Sequence, residues 1–241
     1  MKIIRTENYE EMSLKAGLLL TEKIRSNPSI TLGMATGSTP KGIYQYLIKD
    51  HQDNRTTYKQ VKSINLDEYI GIAPSNPNSY HYFMQKNLFE HLDIHEANTY
   101  LPNGAASNLE AECERYEKLI EDIGGVDLQI LGIGQNGHIG FNEPGTSFDS
   151  RTHIINLEED TRKANSRFFN SIDEVPKQAI TMGIATILKS KEIFLLASGE
   201  AKADALARLI KDGISEDFPA SALKLHQNVT IVADADALKY I

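Results

Sequence analysis

The feature that most constrains this chain is an alternation: short apolar runs recur between amphipathic stretches of helical period. The pattern predicts a helix over 9–25 with Asn8 as its cap, then a buried strand over 30–35 that ends in a Gly-rich turn. Pro40 suits the first position of the next helix. Strands are expected over 61–66, 126–133, 192–198 and 229–233, and helices over 78–91 and 201–211. Ser107 and Glu110 have capping-box spacing at the start of a helix running to 123. Buried strands alternating with helices build βαβ units and a parallel sheet. The expectation is a single α/β domain over 1–241, Rossmann-like, its mainly parallel open sheet covered by helices on both faces. No repeat, low-complexity tract or Pro/Gly/Ser linker divides it. In such sheets ligands bind beyond the carboxyl ends of the strands, so the loops that follow the strands are where chemistry should lie.

Composition narrows the partners. The formal charge is −8, which argues against nucleic acid or an anionic membrane, since both call for clustered Lys and Arg. A few basic groups in one pocket can still hold a small anion. Cys113 is the one cysteine, so no disulfide forms within the chain. Its setting in Ala-Glu-Cys-Glu-Arg-Tyr marks it as an apolar filler on an inner helix face. The first residues lack the apolar core of a signal peptide, and the apolar stretch over 16–20 is too short to span a bilayer. A cytoplasmic location is expected.

Three strand ends carry polar groups of catalytic type. The first, Gly33-Met34-Ala35-Thr36-Gly37-Ser38-Thr39-Pro40-Lys41-Gly42, joins a strand through a Gly/Ser/Thr loop to a helix N-terminus. Its backbone N–H groups, hydroxyls and helix dipole suit a phosphate. A tight turn before a well-capped helix would look the same. The Gly-Lys-Ser/Thr ending of an ATP-binding loop is missing. The second, Asn65-Leu66-Asp67-Glu68-Tyr69, sets two carboxylates side by side at a strand end. Successive side chains on an extended segment point opposite ways, so one at most faces a given pocket. A base, a metal ligand and a turn residue all fit that position.

The third runs from Gly132 through Gly134, Asn136, Gly137, His138 and Gly140 to Glu143, Pro144 and Gly145. Its opening matches the dinucleotide fingerprint, which requires a helix to begin at its end. Gly140, Pro144 and Gly145 follow instead, so a nicotinamide site is rejected. What remains is a glycine-rich loop with His138 and Glu143, an acid/base pair by type. A metal is disfavoured, because the His-x4-Glu spacing is not a standard ligand pattern and no third ligand lies close by. Arg167, beside aromatics, and Lys202, where a strand end opens a helix, are the basic residues that could complete a phosphate site. The residues alone lead to a phosphate-binding α/β enzyme that moves protons.

Four stretches taken in order resemble the glucosamine-6-phosphate deaminase family. They are Ala35-Thr36-Gly37-Ser38-Thr39-Pro40, Asn65-Leu66-Asp67-Glu68-Tyr69, Gly137-His138-Ile139-Gly140-Phe141-Asn142-Glu143-Pro144 and Ala164-Asn165-Ser166-Arg167-Phe168-Phe169. The resemblance spans nearly the whole chain. It implies an aldose–ketose isomerisation with loss of ammonia, taking glucosamine 6-phosphate and water to fructose 6-phosphate, without a cofactor. It also implies roles. His138 would open the sugar ring, with Glu143 orienting and charge-balancing the imidazole. Asp67 would move the C2 proton to C1. Thr36, Gly37, Ser38, Thr39, Arg167 and Lys202 would hold the phosphate.

The chain departs from well-known members of that family in places. Many carry Asp where Asn136 stands, so the imidazole is expected to rely on Glu143, with an altered pH profile. Activated hexamers carry Arg and Lys shortly after the stretch matched by Ser150, Arg151 and Thr152. His153 and Ile155 stand there instead, and the longer C-terminal tail is missing. The implied partner is a small sugar phosphate, and the implied assembly a monomer or small homo-oligomer without activation by N-acetylglucosamine 6-phosphate. Two rivals are weaker. A 6-phosphogluconolactonase typically continues its Gly-His loop with Thr-Ala-Ser-Leu-Phe-Pro, and lactone hydrolysis needs no C2 base. A non-catalytic sugar-phosphate sensor usually carries a basic helix-turn-helix module, and none precedes Ile30.

Overall fold

The computed structural model describes every residue of the chain except Phe168. Seven strands form one parallel sheet: β1 (Lys2–Thr6), β2 (Thr31–Met34), β3 (Lys62–Asn65), β5 (Thr99–Tyr100), β6 (Leu128–Gly132), β9 (Glu192–Ala197) and β10 (Val229–Asp234). Their spatial order is β1-β10-β9-β6-β2-β3-β5. Strand β4 (Asp67–Tyr69) leaves this sheet and joins β8 (Gln178–Thr181) and β7 (His153–Asn156) in a small antiparallel one. The helices are α1 (Tyr9–Ser26), α2 (Lys41–Asn54), α3 (Tyr80–Asn87), α4 (Leu109–Asp122), α5 (Glu159–Asn165), α6 (Ile184–Leu188) and α7 (Ala203–Lys211).

Right-handed crossovers decide where the helices lie. The steps from β1 to β2 and from β2 to β3 run in one direction across the sheet, which puts α1 and α2 on one face, packed against each other. The steps from β5 back to β6 and from β9 to β10 run the other way and put α4 and α7 on the opposite face. The central strands are accordingly buried along their length, β2 and β10 at every position. From β2 the chain steps one way and from β6 the other. These two strands are neighbours, so the topological switch point lies between their carboxyl ends.

The structure corrects several sequence expectations. Strands β1, β5, β7 and β8 were not anticipated, nor was β4 as a strand of its own. β1 is an edge strand whose Lys2 and Arg5 stay exposed, so it lacks an apolar run. β7 and β8 pair antiparallel, β7 partly exposed and β8 buried at three of its four positions, and neither has the unbroken hydrophobic run of a parallel strand. Asn108, not Ser107, caps α4, its side-chain oxygen accepting from Ala111 N at 3.0 Å. Glu110 then falls one position short of a capping box. Pro40 sits at the cap of α2 instead of inside it. The expected helix over 78–91 is α3 alone, capped by Ser79, with a separate 3-10 turn at Phe89–His91. The α1 prediction needs no change in its cap, since Asn8 accepts from Glu11 N.

Leu66, between β3 and β4, links the two sheets. Its N–H donates to Met34 O of β2, and its carbonyl accepts from Met182 N beyond β8. The residue that follows, Asp67, is thus fixed where the two sheets meet.

Candidate active site

A cleft of about 690 Å³ opens at the switch point. Its walls come from the β2–α2 loop, the start of β4, the loop after β6, α5 and the residue that precedes α7. The segments singled out in the sequence therefore reach one mouth of the sheet.

The β2–α2 loop presents its backbone inward because its carbonyls are held from behind. Tyr44 of α2 donates to Ala35 O, and Tyr9 of α1 donates to Ser38 O. Gly37 has φ +96, a left-handed conformation that a side chain would strain. Among the described residues, the N–H groups of Thr36, Gly37, Ser38 and Thr39 find no acceptor within the protein. Thr36, Gly37 and Thr39 line the cleft. Ser38 does not; its hydroxyl accepts from Arg167 Nη2 at 3.2 Å. Arg167 and Lys202 both line the cleft. Lys202 is held below the usual amine range first by burial and then by the charge of Arg167. Two cations brought together beside N–H groups that lack a protein acceptor make a site for an anion.

Across the cleft stands Asp67, 6 % exposed. Burial pushes its pKa up to about 8, with the charge of Glu68 adding to the rise. The period-two rule separates this pair. Asp67 faces the cleft, while Glu68 turns away to the N-terminus of α3. There it accepts from Tyr80 N at 3.0 Å, His81 N at 3.0 Å and His81 Nδ1 at 2.9 Å. Glu68 is thus a buried cap for α3 that lies next to Asp67.

The loop after β6 folds over Asp67. At Gly140, φ +59, an added Cβ would lie 3.6 Å from Asp67 Oδ2 and 3.1 Å from Thr181 Oγ1. The loop is tied to the small sheet by Phe141 N donating to Thr181 Oγ1 and by Asn142 Nδ2 donating to Met182 O. His138 lines the cleft. Its Nδ1 is 2.7 Å from Asn136 Oδ1 and 3.5 Å from Glu143 Oε2. Asn136 Nδ2 in turn donates to Glu143 Oε2 at 2.9 Å. The expected His138–Glu143 pair thus stands at 3.5 Å, and Asn136 contacts both of its members. The order also fixes protons. A carboxylate only accepts, so the Asn136 amide nitrogen must face Glu143 and its oxygen must face His138. His138 then carries its proton on Nδ1, which leaves Nε2 as a base.

Glu143 is 3 % exposed and lies behind the cleft wall. Burial tends to raise its pKa. The His138 ring, a hydrogen bond from Thr161 Oγ1 at 2.5 Å and the Asn136 amide outweigh that, so the carboxyl sits below the usual range.

Some site residues escaped the sequence reading. Thr161 is one, since nothing in a polar helical stretch marks a contact with Glu143. Tyr69 and Tyr80 pack at 4.8 Å between ring centroids, and Tyr80 stacks on Phe141 at 6.0 Å, forming an aromatic wall of the cleft. Their place beside the Asp-Glu pair and after a Pro/Asn/Ser loop was the available signal. Phe168, quoted with Arg167, lies outside the described residues. Cys113 is buried and its thiol is pushed up to about 11 by burial first, which leaves it unreactive. No helix among the described residues is long and apolar enough to cross a membrane.

The geometry can be set beside known proteins. The glucosamine-6-phosphate deaminase of Halalkalibacterium halodurans is 58 % identical over 241 residues, covering 100 % of this chain and 98 % of that one. The Geobacillus sp. protein of the same name is 56 % identical over 100 % of this chain and 96 % of its own length. A solved structure of a monomeric glucosamine-6-phosphate deaminase matches with a TM-score of 0.99 and 51 % identity over the whole of both chains. A 6-phosphogluconolactonase from Trypanosoma cruzi matches at a TM-score of 0.80 and 21 % identity, over 100 % of this chain and 96 % of that one, a likeness of fold alone. Residues 7–232 match the family model for glucosamine-6-phosphate isomerases/6-phosphogluconolactonase, and with four quoted stretches converging on one cleft the chain belongs to that family.

Proposed function

We propose that this chain converts glucosamine 6-phosphate and water into fructose 6-phosphate and ammonia. The observation that carries this reading is the opposition within one cleft of a buried, proton-retaining carboxyl, Asp67, and an anion cradle, with His138 beside them. A hexose phosphate has an anionic end and, at its other end, the carbons that must exchange a proton. The high identity to deaminases over the full length supports the same activity.

The phosphate is held by the N–H groups of Thr36, Gly37 and Thr39 and the hydroxyls of Thr36 and Thr39, together with Arg167 and Lys202, while Ser38 positions the Arg167 guanidinium. That remote grip positions the reacting carbons. His138 Nε2 takes the proton of the anomeric hydroxyl and returns one to the ring oxygen, so the C1–O5 bond breaks and the open aldehyde forms. Asn136, backed by Glu143, keeps the imidazole in the tautomer that allows this. Asp67 then removes the proton from C2, giving an enolamine, and delivers it to C1. The resulting C2 imine adds water and expels ammonia, leaving the ketone. A base with a pKa near 8 holds its proton firmly enough to return it to carbon. The substrate's C2 ammonium supplies the nearby positive charge that ionises Asp67 when the sugar binds. All these groups come from one chain, which with the likeness to a monomeric deaminase supports action as a monomer.

Purified protein incubated with glucosamine 6-phosphate, with no added metal or nucleotide, should release ammonium and fructose 6-phosphate in equal amounts. Hydrolysis of 6-phosphogluconolactone without ammonium release from the amino sugar would overturn the reading.

A further inference from the structure

Helix α5 touches both halves of the cleft. Thr161, near its start, is its one buried residue. The rest of its hold on the protein is polar. Arg162 donates to Ile172 O at 2.9 Å and Val175 O at 3.1 Å, and Asn165 hydrogen-bonds to Tyr69. The turn that follows carries Arg167, which reaches Ser38 Oγ. Within α5 itself no apolar side chain is buried, and beyond it the partly buried Phe169 packs on the Tyr69–Phe141 cluster, so polar contacts carry much of the helix's position.

The two ends of this segment meet different parts of the site. At one end, Arg167 and Lys202 repel each other, and an anion between them turns that repulsion into attraction. At the other end, Thr161 Oγ1 donates to Glu143 Oε1 at 2.5 Å, while Glu143 Oε2 accepts from Asn136 Nδ2 at 2.9 Å. Each oxygen of the buried carboxylate therefore has its own donor, one from the His138 chain and one from α5. Without the Thr161 hydroxyl, Oε1 is left buried and unpaired, and the carboxylate must turn to find another donor. That turn breaks the Asn136 contact that fixes the His138 tautomer.

We infer that Thr161 is a positioning residue through which capture of the substrate's phosphate sets the Glu143 end of the ring-opening relay. The inference rests on the deaminase reading for the word substrate, though not for the coupling itself. The same helix that answers to an anion at Arg167 delivers the donor that orients Glu143, so ring opening is favoured when the phosphate is seated.

The test uses the full chain labelled with 15N-histidine, inorganic phosphate as the probe, and the variants Thr161→Val and Thr161→Ser. In the wild type, phosphate should shift the His138 ring-nitrogen resonances. In Thr161→Val, phosphate should bind within about twofold of the wild-type affinity while the His138 response disappears. Turnover of glucosamine 6-phosphate by Thr161→Val should fall about 10- to 100-fold in kcat with little change in KM, the loss of one hydrogen bond to a charged group. Thr161→Ser, which keeps the hydroxyl, should restore both the response and most of the rate. A His138 response that survives in Thr161→Val, or is missing in the wild type, overturns the inference. So does a Thr161→Ser variant as slow as Thr161→Val. Absence of ammonium release by the wild type would instead overturn the activity reading, while the phosphate response would still be read without turnover.

Discussion

Asp67 on β4 and Glu143 in the loop after β6 are almost equally sealed from water, at 6 % and 3 % exposure, yet their surroundings drive their charges in opposite directions. Around Glu143 there are donors: the Thr161 hydroxyl, the Asn136 amide and the His138 ring. Around Asp67 the dominant influences are burial and a second carboxylate, Glu68. Burial alone therefore does not set the behaviour of a carboxyl group; the supply of donors does. A carboxylate satisfied from all sides suits holding an imidazole in place. One left short of donors suits taking a proton and giving it back.

The most severe way to break this contrast is Asp67→Asn. Steady-state assays should show a loss of at least ~100-fold in kcat, since a positioned proton-transfer group contributes about 10²–10⁴-fold. Near-normal turnover in that variant would remove Asp67 from the chemistry.

Thermal melts at about pH 9 should separate the two carboxyls by sign. The folded pKa of Asp67 is raised from 3.8 to about 8, so the stability it contributes is present while it is protonated and fades as pH climbs between those values. Asp67→Asn should therefore be more stable than the wild type at that pH, by roughly 2–5 kcal/mol. Glu143 has a lowered pKa, so its contribution is present above its unfolded value and is lost as pH falls through the folded one. Glu143→Gln should be less stable by about 1–2 kcal/mol under the same conditions. Melting shifts of the same sign in the two variants would contradict the contrast.

A smaller effect sharpens it. Glu68→Gln keeps an acceptor for the N-terminus of α3 but removes the charge beside Asp67. The acid limb of the kcat/KM profile, which reports the free enzyme, should move to lower pH by about half to one unit. A limb that stays put would mean that burial alone sets the pKa of Asp67.

Much of the large sheet was legible because its central strands are buried on both faces and spell unbroken apolar runs, as 193–197 does. The small sheet was not. Its strands are short, mixed in polarity and paired across distant parts of the chain, so residues such as Gln178 and Asn156 carry no local sign of a ladder. The site divides in the same way. Glycine-rich turns at strand ends pointed to Thr36 through Thr39 and to His138, and neighbouring carboxylates pointed to Asp67. The contact of Asn136 with both His138 and Glu143 and the contact from Thr161 depend on loop geometry and on a pairing eighteen residues apart, neither of which has a local spacing rule.

Leu66, hydrogen-bonded to β2 on one side and to the segment after β8 on the other, fixes where counting along β4 begins. Side chains alternate strictly from that point, so the frame tolerates no slippage. One extra residue inserted between Leu66 and Asp67 would give the cleft-facing slot to the newcomer and swing the aspartate toward α3. The junction is therefore a place where the chain cannot absorb an insertion without losing its cleft-facing carboxyl.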